Sequence, residues 1–512
     1  MRRRYKLLLA IGAITGLLVV AAWVYHWHLK AVNEAYIAQL LAQGEPMTVA
    51  QVLPPAVPPS ENSAEVFLKA TALLAADSSG LQTNSCHMMQ MATPGKALIC
   101  SQLPQMHGYE ATNPWPVLAQ ALETNQAALT LLLQVADHPA LDFYIRYDHC
   151  LEEATLFTNL HLVELRKCEK YLKAKIMYCL HERDTADACR FFEAELALVQ
   201  AMQNQPLQIS QWVRMAMVHG LQSTCWEILQ TPGITEEELA RLQKDWEQLD
   251  IVHSSANALV MERAVGQVAL GDWRQSTAAL QQYLAIGKNA RITLGISDET
   301  ESLPARISQD LQVFLWQYWW SYPDELRTLK GYQVLLGASR QLETNRIFQT
   351  AIADQEAGLK ALQITNSPDV ITLLFFELTD TPNFHTLLSE SVENLSGTMN
   401  KVLIAETIRQ MTITAIALQR FKLAHGQYPT QLGELVPAFV EVVPRDPVDG
   451  QALRYRPQSD GNFLLYSVGE NGVDDGGNPA PDDADPAKSI NWFGSHNLDW
   501  VWPQPVRPEN RH

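Results

Sequence analysis

The chain is short of positive charge. Lys and Arg number 38 against 56 Asp and Glu, a formal balance of −18. That balance excludes the basic surface that a phosphate backbone requires, so nucleic acid is not an expected partner. Cysteine is scarce as well: seven residues, all between Cys86 and Cys225. None forms a CxxC, and none stands at zinc spacing from a histidine. Cys179 and Cys189 bracket the turn HERDTAD and can face each other across a hairpin, and Cys86 and Cys100 can close a loop. Buried free thiols are the alternative. Catalytic signatures are missing too: there is no GxSxG, HExxH, SxxK or phosphate-cradling glycine loop. Two carboxylates brought together by a fold leave no motif. An envelope hydrolase with its cleft in the helical middle, near Trp316–Tyr322, therefore stays as an alternative to a non-catalytic protein.

What is present starts at the N-terminus. Arg2, Arg3, Arg4 and Lys6 precede a run from Leu7 to Tyr25 with no charged residue. As a helix that run spans roughly 28 Å, close to the hydrocarbon thickness of a bilayer. Trp23, Tyr25 and Trp27 stand at its far end, where interfacial aromatics belong. The basic tip keeps the N-terminus cytoplasmic, which predicts a single-pass inner-membrane protein whose bulk is periplasmic. A cleaved signal peptide is the competing reading, since Ala21 and Ala22 are small. The length of the run and the crowd of aromatics after it favour an uncleaved anchor over residues 7–25. Gly12 and Gly16 form a GxxxG, common by chance in membrane helices.

Hydrophobic content of 47% with 18% charged is globular composition, enough for two or three domains. After the anchor come a short amphipathic piece, residues 29–43, and QVLPPAVPPS, whose prolines predict an extended spacer. From about residue 115 to 395 the pattern is almost wholly helical. Residues 151–180 carry apolar side chains at i, i+3, i+4 and i+7, with Asp184 or Thr185 as the cap of the next helix. A second such segment is predicted to break at Gly271-Asp272. Both look like helical hairpins of the tetratricopeptide kind, without a fixed period. VFLWQYWWSYPDEL puts Trp316, Trp319 and Trp320 on one helix face, a sugar or peptide platform or else core. HWH at 26–28 is a metal pair or interfacial packing, and His425 suits a helix C-terminus.

The last segment changes character. A long helix ends at Gly426, and short strand candidates come after it in ALRYRP, NFLLYSV and LDWVWP, a small α+β unit. The matching positions are Gly426, Tyr428, Pro429, Asp446, Pro447, Gly450, Tyr455, Ser467, Gly469 and Gly472. On these residues the final hundred or so resemble the globular head of the major pseudopilins of type II secretion. That family has a long helix, a GxYP turn, a DPxG hairpin and an acidic loop that binds calcium. The resemblance implies calcium held by Asp474, Asp475, Asp482, Asp483 and Asp485, with Ser467 at the root of the loop. On composition alone these acids are a solvated loop, and their spacing fits neither an EF-hand nor a GGxGxD repeat. The chain departs from the family by lacking the cleaved glycine and the Thr-Leu-x-Glu run, and by carrying Asn471 in place of an aspartate.

The whole chain looks like large membrane-anchored bacterial envelope proteins with a helical middle and a YSVG…DDGG tail. The expected organisation is mainly α. Residues 1–28 form the basic tip and anchor, and 29–60 the juxtamembrane helix and Pro-rich linker. An irregular helical-hairpin domain covers 61–395, a pseudopilin-like head 396–505 and a tail 506–512. The expected function is a non-catalytic binding or scaffold protein for a protein partner. An accessory role in a type II secretion or pilus-like assembly is a further alternative.

Overall fold

The first helix outruns the apolar stretch that suggests it. In a computed structural model, which describes residues 2–74, 92–93, 96–97, 115–147, 151–293, 310–364, 389–478 and 498–502, α1 runs unbroken over Arg2–Ala42. The separate piece expected at 29–43 is its second half, because no Gly or Pro interrupts residues 27–42. The Leu7–Tyr25 run lies within α1. Among the described residues, no helix is long and apolar enough to cross a membrane; the side chains of residues 1–12, 15, 18, 19 and 22 are outside that set.

Helices dominate the rest of the described chain. They are α2 (Val49–Val52), α3 (Ala64–Leu73), α4 (Trp115–Thr124), α5 (Gln126–Val135), α6 (Leu151–His181), α7 (Thr185–Ala201), α8 (Gln208–Gln230) and α9 (Glu236–Glu247). Then come α10 (Val252–Gln275), α11 (Thr277–Thr293), α12 (Ser321–Asn345), α13 (Phe348–Ala361), α14 (Ser389–Ser396) and α15 (Thr398–His425). A small hairpin pairs β1 (Ala92–Thr93) with β2 (Lys96–Ala97). The three expected C-terminal strands form one antiparallel sheet in the order β3 (Arg454–Pro457), β4 (Phe463–Ser467), β5 (Trp500–Val501).

The α6–α7 hairpin turns where the sequence predicts. The Asp184 carboxylate accepts from the Asp187 amide at 3.0 Å and caps α7. The second break does not fall at Gly271-Asp272, since α10 continues through both to Gln275 and the chain becomes extended at Ser276. A glycine inside a helix costs about 1 kcal/mol, and here Ala269, Leu270 and Trp273 on either side are buried. Their burial wins. Cys168, Cys179, Cys189 and Cys225 are free and buried, so the Cys179–Cys189 pairing is not made. Each packs as a small hydrophobe in the core, and burial raises the Cys179 and Cys189 thiols to about 11 and about 12. Cys86, Cys100 and Cys150 lie outside the described residues.

The core does not pause at residue 396. α15 packs on α8, α9 and α13 as well as on β4, and one apolar cluster runs from Ala64 to Trp502. A helix enclosed on several faces must satisfy its polar side chains internally. Thr407, Thr412 and Thr414 do so by donating to carbonyls four residues back, at 2.7–2.8 Å. Gly426 ends the helix in the left-handed conformation, φ +79°.

Candidate functional site

Two features invite a functional reading: the junction that holds α1 to the body, and the acidic C-terminal unit. At the junction α1 lies along α12. The His26 ring meets Tyr322 at 5.3 Å, Asn33 donates to Glu325 at 2.6 Å, and Lys330 sits over Tyr36. Arg274 completes the layer, bonded to Glu325 at 2.6 Å and stacked on Tyr322. His26 is therefore packed on an aromatic ring. Just past the end of α1, Glu45 is clamped between Arg340, at 2.8 Å, and fully buried Arg263, at 2.9 Å. The Arg340 hydrogen bond first, and then Arg263, hold the Glu45 carboxyl down to about 2 against its burial. The Pro-rich stretch is also tied down. The Val57 amide and the Asn62 side chain both bond Asp142, closing a cavity of about 280 Å³ lined by Leu53–Val57 and Pro139–Ile145. It is a strap along the body, because its few free backbone groups find partners there.

In the acidic unit the fold supplies the base that the loop lacks. Arg454, on β3 opposite Tyr466, bonds Asp446 at 3.0 Å and Asp449 at 2.6 Å, and lies 3.6 Å from Asp474. Asp446 is fully buried and accepts from the amides of Val448 and Val468 and from the Ser467 hydroxyl. Burial raises its carboxyl, and those donors pull the other way. Asp499 gathers the amides of Asp475, Gly477 and Asn478, which fixes the loop against β5. Neither Asp446 nor Asp499 was singled out as a site carboxylate from the sequence; Asp499 is marked by its apolar neighbours Leu498 and Trp500, and Asp446 by the Pro447 that follows it.

The calcium set can be tested against these contacts. Ser467 gives its hydroxyl to Asp446, Asp474 accepts from Tyr466 and Gly476, and Asp475 accepts from Asn471. Asp482, Asp483 and Asp485 lie outside the described residues. Among the described residues no three His, Cys, Asp or Glu side chains are placed to hold a metal ion, and Arg454 already balances the carboxylates around it. Equal shifts of the melting point by millimolar calcium and magnesium would leave these acids a solvated loop. A calcium-specific rise, lost in Asp475→Asn, would instead assign an ion to the loop.

A cleft of about 550 Å³ opens beside this unit, between the α12–α13 turn, α15 and the 440–450 loop. Arg346, Arg409, Arg445, Glu406, Val442 and Val443 line it. Its floor is the buried Glu406–Arg409 pair, bonded twice at 2.7 and 2.9 Å; its rim is Val442, 71% exposed.

The aromatic run near 316 is core rather than platform at its centre. Trp316 is fully buried within the π-turn Trp316–Trp320 and donates to Asp324 at 3.0 Å. A different carboxylate pair is buried between α6 and α7. Glu195 is fully buried with neither oxygen hydrogen-bonded, and Glu169 stands nearby, paired with Arg166. Burial pushes the Glu195 carboxyl well up, and Glu169 pushes it further. A raised carboxyl favours the folded state below the ordinary range and withdraws that support as pH climbs through the folded value. Glu195→Gln is expected to flatten the loss of melting temperature as pH rises above the ordinary carboxylate range. An unchanged pH profile would contradict this. Glu195 sits in FFEAELALV, where Glu193 pairs with Arg241 at the surface and Glu195, two residues on, falls among the apolar side chains.

No family description, curated protein or solved structure matches this chain.

Proposed function

We propose that this chain is a membrane-anchored, extracytoplasmic, non-catalytic binding protein. The N-terminal run of α1 is its anchor, its helical hairpins form an irregular tetratricopeptide-like array, and its C-terminal unit is a pseudopilin-like head built into that array. The observation that carries the reading is the docking of α1. The helix that bears the apolar run is bolted to the body through Glu45, Asn33 and Tyr36 instead of ending in a free linker. A body fixed in this way holds one orientation relative to a bilayer, as a scaffold requires.

The partner is a protein segment, for which the cleft between α15 and the 440–450 loop offers an apolar lip at Val442 and guanidinium groups at Arg346 and Arg445. Protease added to bacterial spheroplasts tests the topology. The body is expected to be digested from outside while a tag at the N-terminus survives. Protection of the body until the cells are lysed would overturn the reading.

A further inference from the structure

The start of the α12 segment carries an exposed apolar ridge. The described chain is helical from residue 310 through the π-turn into α12. Leu311, Phe314 and Tyr318, spaced i, i+3 and i+7, are 56%, 48% and 56% exposed. Phe314 and Tyr318 touch at 4.6 Å, and Trp319 meets Phe314 at 6.0 Å, so the ridge is continuous. The opposite face, through Val313 and Trp316, is buried against α10 and α11. The polar side chains of the same segment bond to the α10–α11 side: Asp310 accepts from Gln281 at the surface, and Gln317 accepts from Thr277 and donates to the Trp273 carbonyl.

The order of contacts along α1 and α12 fixes where this ridge lies. His26 meets Tyr322, Asn33 meets Glu325, Tyr36 meets Lys330, and Glu45 meets Arg340. Both numbers climb together, so the two helices run in the same direction. The residues before Tyr322 therefore lie level with those before His26, which are the apolar run. At about 1.5 Å per residue, Tyr318 sits roughly 6 Å and Phe314 roughly 12 Å below Tyr322 along the axis. That is the depth of Trp23 and of the apolar residues preceding it, and Trp23, Tyr25 and Trp27 are themselves more than half exposed. Interfacial helices bury their apolar faces about 5–10 Å into the headgroup and acyl boundary, with Tyr at the water edge.

We propose that the Leu311–Phe314–Tyr318 ridge is a second membrane contact, dipping into the leaflet from which α1 emerges. It rests on the anchored reading of α1 and goes beyond it: the body lies down on the bilayer at its α12 start as well as being tethered to it. Two contacts on parallel helices fix the rotation of the body about α1, which one anchor cannot do.

A photoreactive benzophenone residue tests this in the full chain, reconstituted into phosphatidylethanolamine–phosphatidylglycerol vesicles. It replaces Phe314, Tyr318, Trp23 or Val442 in turn, all exposed positions where the fold tolerates it. Lipid adducts, read by mass, are expected at 314, 318 and 23, and none at 442, which lies beside Arg346 past the far end of α12. Adducts at 23 without any at 314 or 318 overturn the second contact and leave the anchor. Absence of adducts at 23 removes the anchor, and the second contact with it. Protein adducts in place of lipid at 314 and 318 make the ridge a partner surface and overturn the proposal.

Discussion

Replacing Asp446 with alanine is expected to open the C-terminal sheet. The carboxylate is fully buried and serves four donors: two backbone amides, the Ser467 hydroxyl and Arg454. Removing it strands the two amides and the Ser467 hydroxyl where water does not reach, while Arg454 keeps Asp449. Each orphaned buried donor costs about 1–3 kcal/mol, so amide exchange across residues 446–468 is expected to speed by about two to four orders of magnitude. Asp446→Asn recovers little, because its NH2 group faces donors. Helical circular dichroism stays near the native value, since α6 to α10 hold their own core. Unchanged exchange in Asp446→Ala would remove this carboxylate from the centre of the unit.

The second large effect belongs to Glu45. Glu45→Ala leaves the Arg263 side chain fully buried, with the Pro46 carbonyl as its remaining acceptor; the cost is about 3–5 kcal/mol. Arg340, about half exposed, is screened by solvent, so Arg340→Ala costs no more than about 1 kcal/mol. The Glu45 carboxyl lies at about 2, below its unfolded value, so this support is complete above about pH 4.5 and disappears as pH falls toward 2. Limited proteolysis reads the difference. Cleavage within residues 43–60 is expected to accelerate sharply in Glu45→Ala and at pH 3, and hardly at all in Arg340→Ala. Equal behaviour of the two variants would mean that Arg263 is not what holds α1 to the body.

Much of the architecture could be read from residue order where short-range chemistry decides it. Asp184 caps α7 because its carboxylate reaches an amide three residues on, and Gly426 ends α15 because the left-handed turn needs it. The strand segments ALRYRP, NFLLYSV and LDWVWP were legible from their β-branched and aromatic residues and the turns beside them. What was hidden depends on register and packing. Arg454 reaches Asp474 because β3 pairs with β4, a contact twenty residues apart in sequence that no spacing announces. Likewise the break after α10 moved because burial of Trp273 and its neighbours outweighed a glycine. The candidate site was legible as an acidic loop, but its organising carboxylates, Asp446 and Asp499, became visible only with their donors in place.

The fate of the first 25 residues bears most directly on the anchored reading. N-terminal sequencing of the chain recovered from alkali-washed membranes is expected to begin before Leu7, with the apolar run retained. A membrane-free chain that begins at about residue 23 would contradict it, leaving α1 as a docking helix without an anchor.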